Sequence, residues 1–191
     1  MSFFDTELHQ ITHDAKIGKH IADKLMKVWR KNGTEMWFLV YTEVQSQKLT
    51  TFTRRTYVVW HRIFEKYEHD TVSLAILADD NPSWRPSRFT RECFGCRLDF
   101  TFPYVKLLDY QKKPDDLASS DNIFAIVVQA HLKTLATKNN HQDREREKLQ
   151  LTKSLYQQGR TKKEIAGLYR FIDWLMKLPK GLLFGTCGLY F

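Results

Sequence analysis

Asp23, Glu43 and Gln45 are the residues whose types and spacing could carry chemistry. Residues 23–30 read as a mostly apolar strand, Lys31-Asn32-Gly33-Thr34 as a turn, and residues 35–45 as a second strand closing on Glu43-Val44-Gln45. Folded as a β-hairpin, the segment carries Asp23 and Glu43 at its open end. Two carboxylates that meet there are what a Mg²⁺ ion needs for the hydrolysis of a phosphodiester.

Loop length decides whether they meet. With Asn32-Gly33 as a two-residue turn, Asp23 falls opposite Thr42 and Glu43 belongs to the other face. With Asn32-Gly33-Thr34 as a three-residue loop, Asp23 falls opposite Glu43. The metal reading therefore predicts an odd loop, or a bulge near one carboxylate. Glu43 and Gln45 share a face for any loop, because side chains alternate along a strand. The competing reading is an exposed hairpin whose terminal acids have no joint role.

The chain has 191 residues, enough for one domain with a real core and a helical appendage. Its 42% hydrophobic and 14% aromatic content points to a globular protein and excludes an intrinsically disordered one. The net charge of +8 favours an anionic partner, of which nucleic acid is the commonest. No apolar run is long enough to span a bilayer, so no membrane role is expected, and residues 1–7 lack the features of a signal peptide. Cys93, Cys96 and Cys187 make no disulfide framework, which fits a reducing cytoplasm. Cys93-Phe94-Gly95-Cys96 has the spacing of half a zinc knuckle without a second pair, so buried or incidental thiols are expected there.

These residues need a scaffold. Residues 5–17 read as a short helix and residues 50–67 as a longer one, with an apolar face and a basic face. Residues 71–77 read as a strand buried on both sides. Asp79-Asp80-Asn81-Pro82 then turns the chain, and residues 94–109 read as one or two strands broken at Pro103. Pro114-Asp115-Asp116 begins a polar connection. Helices follow over 123–137, over 142–157 and from Thr161-Lys162-Lys163-Glu164, a capping-box spacing, with Pro179 ending the last. The charge-dense stretch 141–148 has mixed signs and reads as a solvated helix face. The order describes a mixed α/β core over residues 1–112, a helical region over 113–179 and a tail over 180–191.

Several strings in one order resemble the recombination-promoting nuclease family, often labelled putative transposases, of the PD-(D/E)XK nuclease superfamily. They are Ala22-Asp23-Lys24-Leu25-Met26-Lys27-Val28, Glu43-Val44-Gln45, Tyr57 with Arg62-Ile63-Phe64, and Val72-Ser73-Leu74-Ala75-Ile76-Leu77 with Asp79-Asp80-Asn81-Pro82 and Trp84-Arg85-Pro86. Gly95-Cys96-Arg97, Lys106-Leu107-Leu108-Asp109-Tyr110 and Phe171-Ile172-Asp173-Trp174-Leu175 continue the series. The resemblance covers roughly residues 5–179. It implies a restriction-endonuclease-like mixed β-sheet flanked by helices, and Mg²⁺- or Mn²⁺-dependent cleavage of DNA tied to recombination or mobile elements. By matching position it makes Asp23 and Glu43 the metal ligands. Gln45 stands where the wider superfamily carries lysine, and glutamine there looks usual for this branch.

Glutamine carries no charge and is no general base at neutral pH, so its part would be to orient the attacking water. Hard Mg²⁺, held by one or two carboxylates, supplies water activation, a clamp on the phosphate and charge neutralisation. Glu7 on the first helix is a further candidate ligand, against an exposed helix acid. Arg54 and Arg55 are candidate phosphate contacts, against ordinary solvent-facing arginines. Asp79-Asp80 reads as turn acids rather than a second metal site. No HxH or HExxH spacing and no glycine-rich phosphate loop is present, which argues against zinc hydrolysis and ATP use.

Two features depart from the family. The chain begins almost at the first matched residues, where relatives have more sequence, and residues 180–191 form an apolar, glycine-bearing tail. A truncated or frame-disrupted copy of a mobile-element gene would look this way. The alternative function is a catalytically degenerate fold that still binds DNA, or an interaction protein whose C-terminal helices form a homodimer.

Overall fold

A computed structural model describes residues 2–3, 22–29, 35–43, 49–157 and 159–178, with side chains described from residue 49 onward. The predicted first helix, Glu7, Gln45, Pro179, Cys187 and the tail lie outside them. Two compact units divide the chain, residues 1–107 and 108–191.

The first unit holds a five-stranded mixed sheet and a separate hairpin. β1 (Ser2–Phe3), β2 (Ala22–Trp29) and β3 (Glu35–Glu43) pair antiparallel in that order. β4 (Thr71–Leu77) then runs parallel to β3, and β7 (Tyr104–Lys106) parallel to β4. The hairpin is β5 (Arg88–Cys93) with β6 (Cys96–Thr101).

Helix α1 (Phe52–Tyr67) connects β3 to β4, as parallel neighbours require. Phe52, Arg55, Thr56, Val59 and Ile63 are its buried residues. Their spacing of three and four marks the single stripe that a helix lays on a sheet. Phe52 is fully buried with Ala75, Leu77, Trp84 and Phe102, its ring meeting Trp84 edge-on at 5.4 Å. Burying such a side chain stabilises by about 1.5–3 kcal/mol.

The residues of β4 alternate. Ser73, Ala75 and Leu77 are buried, whereas Val72, Leu74 and Ile76 are half-buried. The predicted two-sided burial therefore holds fully on one side only. β5, unforeseen because Arg88, Arg91 and Glu92 interrupt any apolar alternation, pairs along its whole length with β6. Its base is fastened to α1 by Tyr57 stacked on Phe89 at 5.4 Å and Trp60 against Phe100 at 5.1 Å. Trp60 also donates its indole N–H to the carbonyl of Thr71, at 2.8 Å, tying α1 to the start of β4.

The second unit is helical. A 3₁₀ turn (Leu107–Lys112) leads into α2 (Pro114–Ala118), where the sequence suggested a polar connection. Pro114 at the first turn needs no N–H partner and starts this helix. Leu117 buries the helix with Ala125 and Leu132 of the next.

α3 (Ile123–Ala136), α4 (His141–Gln157) and α5 (Lys162–Leu175) match the predicted helices closely. Their shared core is Ile126, Ala130, Leu151, Leu155, Leu168, Ile172 and Met176. Asn122 caps α3 by accepting from the N–H of Phe124 at 2.9 Å. Thr161 and Glu164 form the expected capping box on α5. The charged run is more than a solvated face. Arg144 donates to the carbonyls of Thr134 at 3.2 Å and Thr137 at 3.1 Å, satisfying groups left open at the end of α3. Lys148, 3% exposed, pairs with Asp173 at 2.6 Å.

Candidate functional site

Strand register brings the two acids into relation. Asp23 is the cross-strand partner of Tyr41, and the pairing continues without a break to Trp29 opposite Glu35. Residues 30–34 separate the strands. That connection is longer than either loop considered above, but odd in number. Odd parity keeps Asp23, Tyr41 and Glu43 at positions of one sheet face. Glu43 is the diagonal neighbour of Asp23, two positions beyond its partner. Such diagonal neighbours lie about 7–8 Å apart at the backbone.

The parallel strands place this pair at a particular end of the sheet. Glu43 pairs with Leu77, and Leu77 with Lys106. Each of the three closes its own strand, so Glu43 stands where β3, β4 and β7 all end. Open α/β sheets bind ligands outside the carboxyl ends of their strands.

Lys106 opens one of the strings that carry the resemblance, without an expected role of its own. Its side chain is wholly buried, and Nζ lies 2.6 Å from Asp79 Oδ2 and 3.3 Å from the Trp84 carbonyl. Asp79 Oδ1 accepts from the N–H of Asn81 at 2.9 Å. Asp79 is thus a turn acid, as expected, and the counter-charge of a buried lysine as well. The pair fastens the loop after β4 to the end of β7. A lysine closing a short strand gives no hint of burial, and its partner is a turn acid 27 residues earlier.

The two predicted phosphate contacts divide. Arg54 is exposed on the first turn of α1, and Arg55 is buried on the stripe that carries Phe52. Arg54 is the more accessible of the two, and burial makes Arg55 the less favourable phosphate contact. Position decides the difference, since Arg55 lies three residues from Phe52 and Arg54 only two.

The hairpin adds further exposed cations. Arg88 grips Asp99 with a fork in which Nε donates to Oδ1 at 2.7 Å, beside Arg97. The hydrogen bond from Arg88 holds the Asp99 carboxyl below its ordinary range, and Asp99 raises the guanidinium in return. Arg91 and Cys93 stand on the β5 positions that continue from Phe89.

Asp23 and Glu43 fit a hard divalent cation by donor type. Among the described residues no group of three or more His, Cys, Asp or Glu is gathered. Two carboxylates with water in the remaining positions are the habit of Mg²⁺ and not of Zn²⁺. Among the described residues no helix is long and apolar enough to cross a membrane. No family model matches the chain, and neither does any curated protein or solved structure.

Proposed function

We propose that the chain is a Mg²⁺- or Mn²⁺-dependent DNA endonuclease of the recombination-promoting type that its motifs resemble, on a restriction-endonuclease-like core. One observation carries the reading. Asp23 and Glu43, twenty positions apart in sequence, occupy same-face positions on adjacent strands, at the end where β3, β4 and β7 finish. The net charge of +8 supports a polyanionic substrate.

A bound Mg²⁺ would activate water and neutralise the departing oxygen. Asp23 and Glu43 would hold the ion. Gln45 orients the attacking water through its amide and neither takes nor gives a proton. Arg54, exposed on the first turn of α1, contacts a phosphate beside the cut. The buried Lys106–Asp79 pair keeps the ends of β4 and β7 in place, and through β4 the end of β3.

The test is nicking of supercoiled DNA by the full chain with Mg²⁺, beside Asp23→Ala. Nicking by the native chain that is lost in the variant supports the proposal. DNA binding without nicking, by a folded native chain, overturns it and leaves a binding module.

A further inference from the structure

The hairpin β5–β6 ends in a turn of two residues, Phe94 at φ 47° and Gly95 at φ 85°. The pair that closes this turn is Cys93 opposite Cys96. Both thiols are free and exposed, so of the expected states, buried or incidental, they are not the buried one. Phe94 projects fully into solvent between them in sequence. Neither cysteine belongs to the buried cluster of Phe52, Ala75, Leu77, Trp84 and Phe102. The hairpin is held at its other end, by Phe89 and Phe100 on α1.

Directly opposed residues share a face, with Cβ atoms about 4.5–5.5 Å apart. A disulfide prefers them about 3.5–4.5 Å apart, so closing one here strains the turn. One soft tetrahedral ion is better matched. With metal–sulfur bonds of about 2.3 Å, two thiolates on one ion stand about 3.8 Å apart. Sulfurs leaning inward from Cβ atoms at cross-strand spacing reach that separation without moving the backbone. The left-handed turn fixes both cysteines before any ion arrives, so little ordering opposes binding.

We propose that Cys93 and Cys96 form a two-thiolate binding site for a soft divalent cation of the Zn²⁺ and Cd²⁺ class. On binding, each thiol releases one proton and the ion gives up two of its waters. Among the described residues no third His, Cys, Asp or Glu is grouped there. The site is separate from Asp23 and Glu43 in both residues and metal preference. Thiolate selects soft ions and carboxylate selects Mg²⁺.

Titration of the reduced full chain with Cd²⁺, under a phosphine reductant, tests the site through the thiolate-to-cadmium absorption band. The band is expected to saturate at no more than one Cd²⁺ per chain, and to be lost in Cys93→Ser and in Cys96→Ser alike. Cys187→Ser should keep it. Circular dichroism confirms that the variants remain folded, since both changes lie on the surface. A band that falls by halves in the two single variants means independent thiols and overturns the proposal. So does a band that only Cys187→Ser removes.

Discussion

Lys106 Nζ lies 2.6 Å from Asp79 Oδ2, and both side chains are shut off from solvent. Two charges are tolerable there because each completes the other and both have further partners: the Asn81 N–H for Asp79, the Trp84 carbonyl for Lys106. Removing one member strands the other. Asp79→Ala should destabilise the protein by about 3–5 kcal/mol, measured by denaturant unfolding. The double variant Asp79→Leu with Lys106→Met should recover much of that loss, because no lone charge is left buried. A double variant no more stable than Asp79→Ala alone would contradict this account.

The carboxylate pair makes a prediction that does not depend on catalysis. Mg²⁺ that binds only the folded chain raises its stability, by about 2.7 kcal/mol at a hundredfold excess over Kd. The native chain should gain melting temperature on adding Mg²⁺, while Asp23→Asn and Glu43→Gln should not. Equal gains in all three would remove Asp23 and Glu43 from the metal.

Gln45→Ala should slow cleavage without removing the Mg²⁺-induced rise in melting temperature, since an amide that orients water is not a ligand. An unchanged rate would dismiss the orienting role.

The turn at Phe94-Gly95 stores backbone strain that can be read out. Nothing lies within 4 Å of a Cβ built on Gly95, so the cost of Gly95→Ala is conformational alone, about 1–2 kcal/mol. Phe94→Asn should stabilise the hairpin by about 0.5–1 kcal/mol, because asparagine tolerates the left-handed region that phenylalanine resists. Amide hydrogen exchange at Arg91 and Leu98 reports both changes.

Glu164 gives the helical unit a pH dependence. Its hydrogen bonds from Thr161 hold the carboxyl below its ordinary value of 4.5. A depressed folded value means that the contribution is present above 4.5 and is lost as pH falls through the lower folded value. Glu164→Ala should therefore flatten part of the acid limb of stability against pH. An identical acid limb in the variant would show that the capping box has no such linkage.

Much of this architecture was legible locally. The helix over residues 50–67 with Phe52 and Ile63 on its apolar face, the cap at Thr161 and Glu164, and the break at Pro103 are short-range patterns whose causes lie within a few residues, whereas the burial of Thr56 and Val59 was set by the sheet that the helix covers. Hairpin register was not, because Asn32-Gly33 supports more than one loop and a change of one residue exchanges faces. β5 was missed because its partner β6 and its support on α1, rather than its own alternation, make it a strand.

Sequence alone determined which residue types are available: two acids at the ends of a hairpin, an amide beyond, a surplus of cations and a Cys-x-x-Cys. Tertiary structure decided which of them meet. It set Asp23 diagonal to Glu43, joined Lys106 to an acid 27 positions away, buried Arg55 while leaving Arg54 in water, and put Cys93 across from Cys96. The reason is physical. Side-chain chemistry belongs to a residue by itself, whereas proximity and burial depend on strand register and on which face a neighbouring element covers.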